Sequence, residues 1–434
     1  MNKGIKDLFF SFGAKTITII SALGVQVCLA WFLGTSGRGS YAVCILFSGL
    51  LGIIFFMGCE LAGVYFVSSR RFSLSEGVIY TLIYGVVGSV LAVAAGLILM
   101  QFPLTIFEKA DRPELYLALA SIPGFLFFTV FSQLFTAIRQ FGWFSAVTLL
   151  RGLCLLVFTP LFLWVLDAGT PGAIMAIIAS DLVVVVVCLL VFRRKFGLLN
   201  VHPRLKNLLA MLHYGARYCV GVISNQFNFR IGTLILAFFA TKEEIGIYAL
   251  AVGLTIQIQI LPDAVKTALI PRSASDEAGR KELVAQCARL TALISFLMLL
   301  GFILLAKLFL TIIFPESFAS AAPLIRILAF GFFIRTLGKS LEPYLIGSNR
   351  PGLISISVAG GMAVNIACLF LLLPRLGLPG AAWSVVCNYL VSSAILIFSF
   401  SRLSEMDWRS IWRLRASDFA FLDGLKTRFF PGKT

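Results

Sequence analysis

The chain has 434 residues, a formal net charge of +16, and a composition that is 59% hydrophobic and 13% charged. Its mean hydropathy of +0.97 excludes an ordinary soluble domain and indicates a polytopic membrane protein whose core is built in lipid. The only histidines, His202 and His213, fall in one polar connection, and the sequence has no Walker-type phosphate loop. We therefore expect a protein without enzymatic activity, a cofactor or a metal site.

Twelve apolar segments are long enough to cross a bilayer at the rise of an α-helix. They predict an all-α membrane protein with spans over 9–33, 41–67, 77–101, 115–138, 144–166, 172–192, 214–239, 246–270, 288–313, 321–346, 353–374 and 379–400. The predicted division is 1-192 for an N-terminal six-helix bundle, 193-213 for an amphipathic cytoplasmic connection, 214-400 for a C-terminal six-helix bundle and 401-434 for a basic cytoplasmic tail. The connection and the tail suit either anchoring at the membrane surface or docking of a partner.

Basic residues orient the chain. If the N-terminus is cytoplasmic, most of the 36 Lys and Arg residues lie on that side, and only a few, among them Arg38, lie in external loops. This bias predicts a multi-pass protein of the inner membrane with both termini in the cytoplasm. Topology and attraction to anionic membrane lipids also account for the net charge, so no nucleic-acid partner is expected.

Three short motifs recur at offsets of 207 to 210 residues, each at the same topological place in the two halves. The pairs are Gly39-x-Tyr41-Ala42 with Gly246-x-Tyr248-Ala249, Gly142-x-x-Ser145 with Gly352-x-x-Ser355, and Gly169-x-Pro171-Gly172-Ala173 with Gly377-x-Pro379-Gly380-Ala381. Constant spacing favours an internal duplication, although glycine, proline and alanine also recur at helix ends by chance. Because each copy holds six spans, the duplication predicts two bundles related by a parallel repeat around a central cavity.

Charged residues inside the spans are mostly basic, which favours an anionic cargo. We predict that substrate binding involves Lys15, Arg217, Asn225, Asn228, Arg230, Arg335 and Lys339. Arg217 and Asn228 share one helical stripe, whereas Arg230 lies on another face, so the two arginines are expected to have different roles. Snorkelling of Arg217 inward and Arg230 outward is the alternative.

Carboxylates inside the spans are fewer, and each must be protonated, paired or exposed to water. Asp181, near the middle of the sixth span, and Glu60 are the predicted ion-coupling residues, and a paired structural role for Asp181 fits as well. Helical spacing also suggests that Glu342 neutralises Lys339 and that Asp263 forms a local pair with Lys266.

Several segments carry a resemblance to a known family. They are LGTSGRGSYAV, NQFNFRIGTLILAFFATKEEIGIYALAVG, LPDAVKTALIPRSAS, FPESFASAAPLIRILAFGF and GLPGAAWS. Through them the chain resembles the polysaccharide-transporter (Wzx-type oligosaccharide flippase) branch of the multidrug/oligosaccharidyl-lipid/polysaccharide exporter superfamily. The resemblance implies twelve helices in two six-helix bundles with a V-shaped central cavity.

The resemblance also implies a function. Such a flippase moves undecaprenyl-pyrophosphate-linked sugar repeat units from the cytoplasmic to the periplasmic leaflet, for O-antigen, capsule or exopolysaccharide biosynthesis. The implied partners are the lipid-linked oligosaccharide, a proton or sodium ion, a polysaccharide polymerase and a chain-length regulator. A multidrug exporter of the same superfamily is the alternative, followed by a membrane-embedded polymerase or ligase.

Overall fold

The computed structural model describes residues 3–56, 58–196, 203–260, 262–263, 265–266, 269, 280–413, 415 and 418. Helix makes up 89% of the structure, and no β-strand occurs in this part of the chain. The α-helices, numbered here in chain order, are α1 Lys3–Phe56, α2 Cys59–Ser68, α3 Leu74–Leu99, α4 Arg112–Ala120, α5 Ile122–Ala137, α6 Phe141–Pro160, α7 Gly169–Phe196, α8 Leu205–Phe239, α9 Lys242–Thr255, α10 Arg280–Ile313, α11 Ala321–Lys339, α12 Glu342–Gly347, α13 Gly352–Leu376, α14 Leu378–Ser404 and α15 Trp408–Trp412. Short 3₁₀ helices cover Thr105–Lys109, Ile256–Gln259 and Glu316–Phe318.

Nine helical segments among the described residues are long and apolar enough to cross a membrane. They are Thr16–Phe56, Leu74–Leu99, Arg112–Ala137, Phe141–Val165, Gly169–Arg194, Lys281–Ile313, Ala321–Gly347, Gly352–Leu376 and Leu378–Ser404. Eight of them overlap one predicted span each, and the first overlaps parts of two predicted spans, 9–33 and 41–67. The predicted seventh span lies within α8, and the predicted eighth begins in α9 and runs into residues outside the described part. The prediction of an all-α multi-pass membrane protein is confirmed, and the number twelve stays a prediction.

The first helix contains a backbone break that separates two predicted spans. Gly34 has φ 62 and ψ −169, a conformation that glycine adopts without a side-chain clash, so α1 consists of two helices joined at this residue. Arg38, just beyond the break, donates to the backbone oxygen and side-chain oxygen of Gln26 and lies 6.0 Å from the Phe318 ring centroid. Arg38 as a whole is 3% exposed. The expectation that Arg38 occupies a loop is therefore wrong: its guanidinium spans the break.

Helix starts follow local capping rules. Ser73 and Glu76 form a reciprocal capping box at α3, and the same exchange links Thr241 and Glu244 at α9. At α4 the backbone N–H of Asp111 donates to Glu114. These polar residues fix where the chain turns after each apolar run.

The described residues fall into two compact units, Met1–Leu250 with Thr311–Ala319, and Ala251–Leu310 with Ser320–Thr434. In the first unit, α2, α3, α5 and α7 enclose a core in which Phe135 and Phe192 stack 4.6 Å apart. In the second unit, α14 packs against both α11 and α13. A Cβ on Gly338 would lie 2.7 Å from Cα of Ser393, so glycine permits the close packing of α11 on α14. The predicted bundle boundaries stay predictions.

The start of α8 joins part of the predicted amphipathic connection to the seventh span in one helix. Its first turns pack on α3 in the first unit, where the Tyr80 hydroxyl accepts from the backbone N–H of Arg204 and the side-chain amide of Asn207. Leu205 and Leu209 are 70% and 55% exposed, respectively. This exposed apolar face suits contact with lipid, and surface anchoring stays a prediction.

The predicted tail packs against the second unit through α15. Ile411 is fully buried beside Val284, Ala288 and Phe400. Beyond the helix, Arg289 makes a two-bond ion pair with Asp418, at 2.7 Å from Nε to Oδ2 and 2.6 Å from Nη2 to Oδ1. Both side chains are at most 2% exposed. The described part of the tail is therefore held by protein contacts as well as by any contact with lipid.

We expect Asp418→Asn to lower the thermal stability at neutral pH, because it removes the carboxylate from a buried ion pair with Arg289, at a cost of about 3–5 kcal/mol. The hydrogen bonds from Arg289 are the main cause that holds the pKa of Asp418 below its ordinary range. A lowered pKa means that this contribution is complete above the ordinary aspartate value of about 4 and is lost as the pH falls through the lowered pKa.

The measurement is thermal unfolding of the purified protein and the variant from pH 7 downward. The difference between them should be constant near neutrality and should vanish at acidic pH. A difference that is absent at pH 7, or that grows on acidification, would contradict the role of the pair.

Candidate functional site

Five charged side chains and a glutamine form a cluster in the second unit. Lys339 Nζ lies 2.7 Å from Asp263 Oδ1 and 3.4 Å from Gln259 Oε1. Lys266 forms an ion pair with Glu342. With Arg335, the described residues of the cluster comprise three basic and two acidic side chains. Basic side chains buried among apolar helices are costly unless they have a use.

Arg335 occupies the same face of α11 one turn before Lys339. Its guanidinium carbon lies 5.0 Å from the ring centroid of Tyr389, a cation–π contact, and the residue is 8% exposed. Gln259 is held by a 2.9 Å hydrogen bond to the Phe332 carbonyl. These contacts fix the direction of the two basic side chains, as a binding site requires.

A narrow cavity adjoins Arg335, Lys339 and Glu342. Its far wall is made by Ser357, Ser392 and Ser393. Each of these hydroxyls donates to a backbone carbonyl of α11, α13 or α14, at 2.8 to 3.3 Å. The space is about that of one water molecule, so a phosphate group does not enter it without movement of the helices.

The sequence predicted the wrong ion pairs within this cluster. Helical spacing pairs Glu342 with Lys339 and Asp263 with Lys266, whereas the structure pairs Lys339 with Asp263 and Lys266 with Glu342. The residues lie on two segments that pack side by side, so contacts across them replace contacts along one helix.

Asp181 in the first unit has a basic partner on a neighbouring helix. Arg151 Nε lies 2.5 Å from Asp181 Oδ1, and Nη2 lies 3.3 Å from Oδ2. Asp181 is fully buried, and the Arg151 guanidinium carbon sits 4.6 Å from the ring centroid of Phe128. A Cβ on Gly124 would lie 2.9 Å from Cβ of Asp181, so this glycine lets α5 approach the carboxylate closely.

Arg230 and Glu60 lie elsewhere in the first unit. Arg230 reaches from α8 to the second part of α1 and donates to the Ile45 carbonyl at 3.3 Å. Gly49 leaves room for the guanidinium, because a Cβ there would overlap it. Glu60 is half-buried, and its Oε2 has no hydrogen-bond partner in the described structure. The remaining candidates, Lys15, Arg217, Asn225 and Asn228, have side chains outside the described residues.

The two Gly-x-Tyr-Ala motifs touch each other within the first unit; we call this the reciprocal glycine contact. A Cβ on Gly39 would overlap the carbonyl of Lys242, and a Cβ on Gly246 would overlap the carbonyl of Thr35. Lys242 follows Thr35 by the same 207 residues that separate Gly246 from Gly39. Each glycine therefore contacts the segment just before the other glycine. Such a reciprocal exchange is the pattern of a two-fold interface.

The other repeated motifs have matching local structures in the two units. Gly169 and Gly377 have φ values of 55° and 62°. A Cβ on Gly172 would lie 3.0 Å from a carbonyl ten residues earlier, and a Cβ on Gly380 would overlap a carbonyl eight residues earlier. Arg139 and Asn349, at the 210-residue offset, also share positive φ values of 58° and 56°. These equivalences support the predicted duplication.

The sequence patterns did not identify which residues on other helices pair with the charged side chains. Arg151 was recognisable as a basic residue inside a span, but nothing in the sequence links it to Asp181, 30 residues later. Gln259 has no sequence signal beyond its polarity. Asp418 pairs with Arg289 across 129 residues, beyond the reach of any periodic pattern.

The helical fold and the apolar spans define a multi-pass membrane protein. A family model described as "Polysaccharide biosynthesis protein" matches residues 5–276, more than half of the sequence, and the chain belongs to that family. The predicted membership of the multidrug/oligosaccharidyl-lipid/polysaccharide exporter superfamily is confirmed by these matches and by the structural neighbours below.

Two curated relatives span different shares of the chain. A "Putative O-antigen transporter" of Shigella flexneri is 20% identical over 92% of this chain and 97% of its own length. An "Uncharacterized membrane protein" of Methanocaldococcus jannaschii is 23% identical over 63% of this chain, which spans 56% of that relative.

Solved structures share the fold. The inward closed conformation of the lipid II flippase MurJ superposes with a TM-score of 0.77 at 13% identity, covering 98% of this chain and 93% of that one. An inward-facing multidrug resistance MATE transporter gives 0.69 at 15% identity, covering 91% and 98%. The Shigella relative is described as a transporter, and the two structural neighbours are a flippase and a transporter.

Proposed function

We propose that the protein is a flippase for polyprenyl-pyrophosphate-linked oligosaccharide, serving the biosynthesis of a surface polysaccharide. The observation that carries the proposal is the burial of Arg335 and Lys339 one turn apart on α11. A pyrophosphate head is an anion that Arg and Lys bind through charge-assisted hydrogen bonds. The polyprenyl tail stays in the bilayer, so transport needs no apolar pocket of its size.

Arg230 supplies a second contact for the anion in this proposal, with Arg217, Lys15, Asn225 and Asn228 as further predicted contacts. Its guanidinium is held by the Ile45 carbonyl, a neutral acceptor that a phosphate oxygen outcompetes. Arg230 belongs to the first unit and the Arg335 cluster to the second, and each is proposed as a contact for the anion.

Alternating access moves the head group across the membrane in this proposal. The reciprocal glycine contact follows the first predicted span and the seventh, which places it at the periplasmic end if the N-terminus is cytoplasmic. Tight contact there closes the path on that side, and separating the two motifs opens it. The two-fold pattern supports a mechanism in which equivalent segments of two repeats part from each other.

The alternative of a multidrug exporter is less well supported by the charges. Recognition of an organic cation needs unpaired acidic groups, yet Asp181, Asp263 and Glu342 all form ion pairs with basic side chains. Glu60 is the carboxylate that this alternative would have to use. The basic side chains of the second-unit cluster have the sign of charge that a phosphate requires.

Reconstitution tests the function directly. Purified protein in proteoliposomes should expose an undecaprenyl-pyrophosphate-linked oligosaccharide, added on one leaflet, to a lectin or glycosidase on the other side. Protein-free liposomes and a lipid-linked sugar without the pyrophosphate are the controls. Equal transfer of both lipids, or no transfer above empty liposomes, would overturn the proposal.

Asp181 and Glu60 are proposed to couple transport to a proton or sodium gradient. We expect Asp181→Asn to abolish gradient-driven transport while exchange without a gradient continues. A purely structural role makes a different prediction: removing one partner of a buried pair costs about 3–5 kcal/mol, and the paired change R151M/D181L restores stability.

Stability and transport are therefore measured on the same three proteins, in proteoliposomes with an imposed pH or sodium gradient. Recovery of thermal stability in R151M/D181L without recovery of gradient-driven transport supports coupling. Recovery of both by the apolar pair would show that Asp181 is structural.

The proposed location is the inner membrane, with both termini in the cytoplasm. There the lipid-linked sugar is made on the cytoplasmic leaflet and a polymerase with its chain-length regulator uses it on the other. Fusion of reporters to each terminus checks the orientation.

A further inference from the structure

We infer that Asp263 is an internal counter-ion that holds the place of the substrate's phosphate on Lys339 and so sets which lipids bind there. The inference rests on the proposed function, because it concerns how the second-unit cluster accepts an anionic head group. It assigns to Asp263 a role in specificity that differs from the roles of the basic residues around it.

The two ion pairs of the cluster differ in exposure. Glu342 is 8% exposed, whereas Asp263 is 49% exposed at its side chain, with Lys339 at 10%. A carboxylate that is half in water is already partly solvated, so moving it fully into water costs less than moving a buried carboxylate. Glu342 has no such freedom and remains with Lys266.

The buried ammonium group of Lys339 requires a negatively charged partner. A buried ammonium without a counter-charge costs several kcal/mol, so the empty protein needs an acid beside it. Asp263 meets that need at 2.7 Å, the distance of a charge-assisted hydrogen bond. A phosphate oxygen offers the same interaction with a higher charge, so exchange of Asp263 for phosphate keeps Lys339 paired throughout.

Among the described residues, the side of Lys339 that faces Asp263 is more open than the side that faces the cavity. The cavity side, bounded by Ser392 and Ser393, has room for about one water molecule, and both hydroxyls already donate to backbone carbonyls. The side that Asp263 occupies is the half-exposed one. An incoming anion therefore takes the position of the carboxylate rather than a vacant position next to it.

Competition with Asp263 makes the site selective. An uncharged polyprenol cannot replace a carboxylate on Lys339, and a monophosphate competes less well than a pyrophosphate, which carries more charge. Removing the competitor should therefore tighten binding of every anionic lipid and reduce the difference between the two phosphates.

Binding to full-length protein in nanodiscs tests this, with undecaprenyl pyrophosphate, undecaprenyl phosphate and undecaprenol as probes. Asp263→Asn should tighten binding of the pyrophosphate on the order of tenfold, which corresponds to about 1.4 kcal/mol. Asp263→Glu should behave as the unmodified protein, and binding of undecaprenol should not change. Glu342→Gln removes the same charge from the neighbouring pair and should have a smaller effect.

If Asp263→Asn and Glu342→Gln tighten binding equally, the effect comes from net charge alone and the inference is overturned. Unchanged or weaker binding by Asp263→Asn would also overturn it. If the unmodified protein binds undecaprenyl pyrophosphate no better than undecaprenol, the proposed function itself fails.

A second measurement needs no variant. Carbodiimide labelling of Asp263 in the unmodified protein should increase severalfold when undecaprenyl pyrophosphate is added, with Glu342 as the internal reference. Unchanged or reduced labelling of Asp263 would contradict its displacement.

Discussion

Replacing Arg335 with alanine is expected to abolish complementation of a strain that lacks this gene, with membrane levels of the protein near normal. Arg335 is buried against Tyr389, and in the proposed function it binds the pyrophosphate where water does not compete. Removing one partner of such a charged contact costs about 2–5 kcal/mol, so transport in proteoliposomes should fall by about thirtyfold or more. Arg335→Lys keeps the charge but loses the planar fork, and we expect partial activity.

Arg326 provides a matched control on the same helix. It is exposed and donates to the Ile303 carbonyl, so Arg326→Ala removes the same side chain without touching the cluster. Transport by this variant should be close to that of the unmodified protein. If Arg335→Ala is equally active, or is lost from the membrane, Arg335 has no place in substrate binding.

Replacing Gly246 with leucine is expected to stop transport by preventing closure at the reciprocal glycine contact. Even a Cβ at this position overlaps the Thr35 carbonyl, which cannot move aside as a flexible side chain would. Gly39→Leu should have the same effect, because Gly39 meets the Lys242 carbonyl in the equivalent way. Both variants should favour the conformation in which this end is open.

Cysteine accessibility on the periplasmic side measures that shift, and paired alanines give the control. Gly142 and Gly352 form another repeat pair, with no atom of the described residues within 4 Å of an added Cβ, so Gly142→Ala and Gly352→Ala should be nearly silent. Closure at this contact would be contradicted if Gly246→Leu and Gly39→Leu had different phenotypes, or if either variant transported normally.

Hydropathy was sufficient to predict most of the helices, because a bilayer requires long apolar runs whatever their partners are. The spans predicted over 321–346 and 379–400 correspond closely to Ala321–Gly347 and Leu378–Ser404. The break at Gly34 was visible only as a gap between two apolar runs. Its geometry depends on a single backbone angle, which composition does not report.

The site was predictable by residue type but not by partnership. Helical periodicity grouped Arg335 with Lys339 on one face, and both line the same cavity. The scarcity of acids in the spans singled out Asp181, which the structure shows buried against Arg151, and its coupling role stays a prediction. Periodicity reports only neighbours within one helix, so it assigned Lys339 to Glu342. The carboxylate that Lys339 contacts comes from another segment, and its choice depends on how α11 packs in the second unit.

The reciprocal glycine contact restricts how the two copies of the motif can diverge. Two halves that meet through equivalent residues resemble the subunits of a symmetric dimer, in which one surface serves twice. Here the contact is made twice, by Gly39 against Lys242 and by Gly246 against Thr35. A larger residue at Gly39 alone therefore disturbs the first contact directly and does not itself overlap the second. Under the predicted duplication, a larger side chain is therefore disfavoured at each position independently, and we expect the two copies to differ mainly away from this contact.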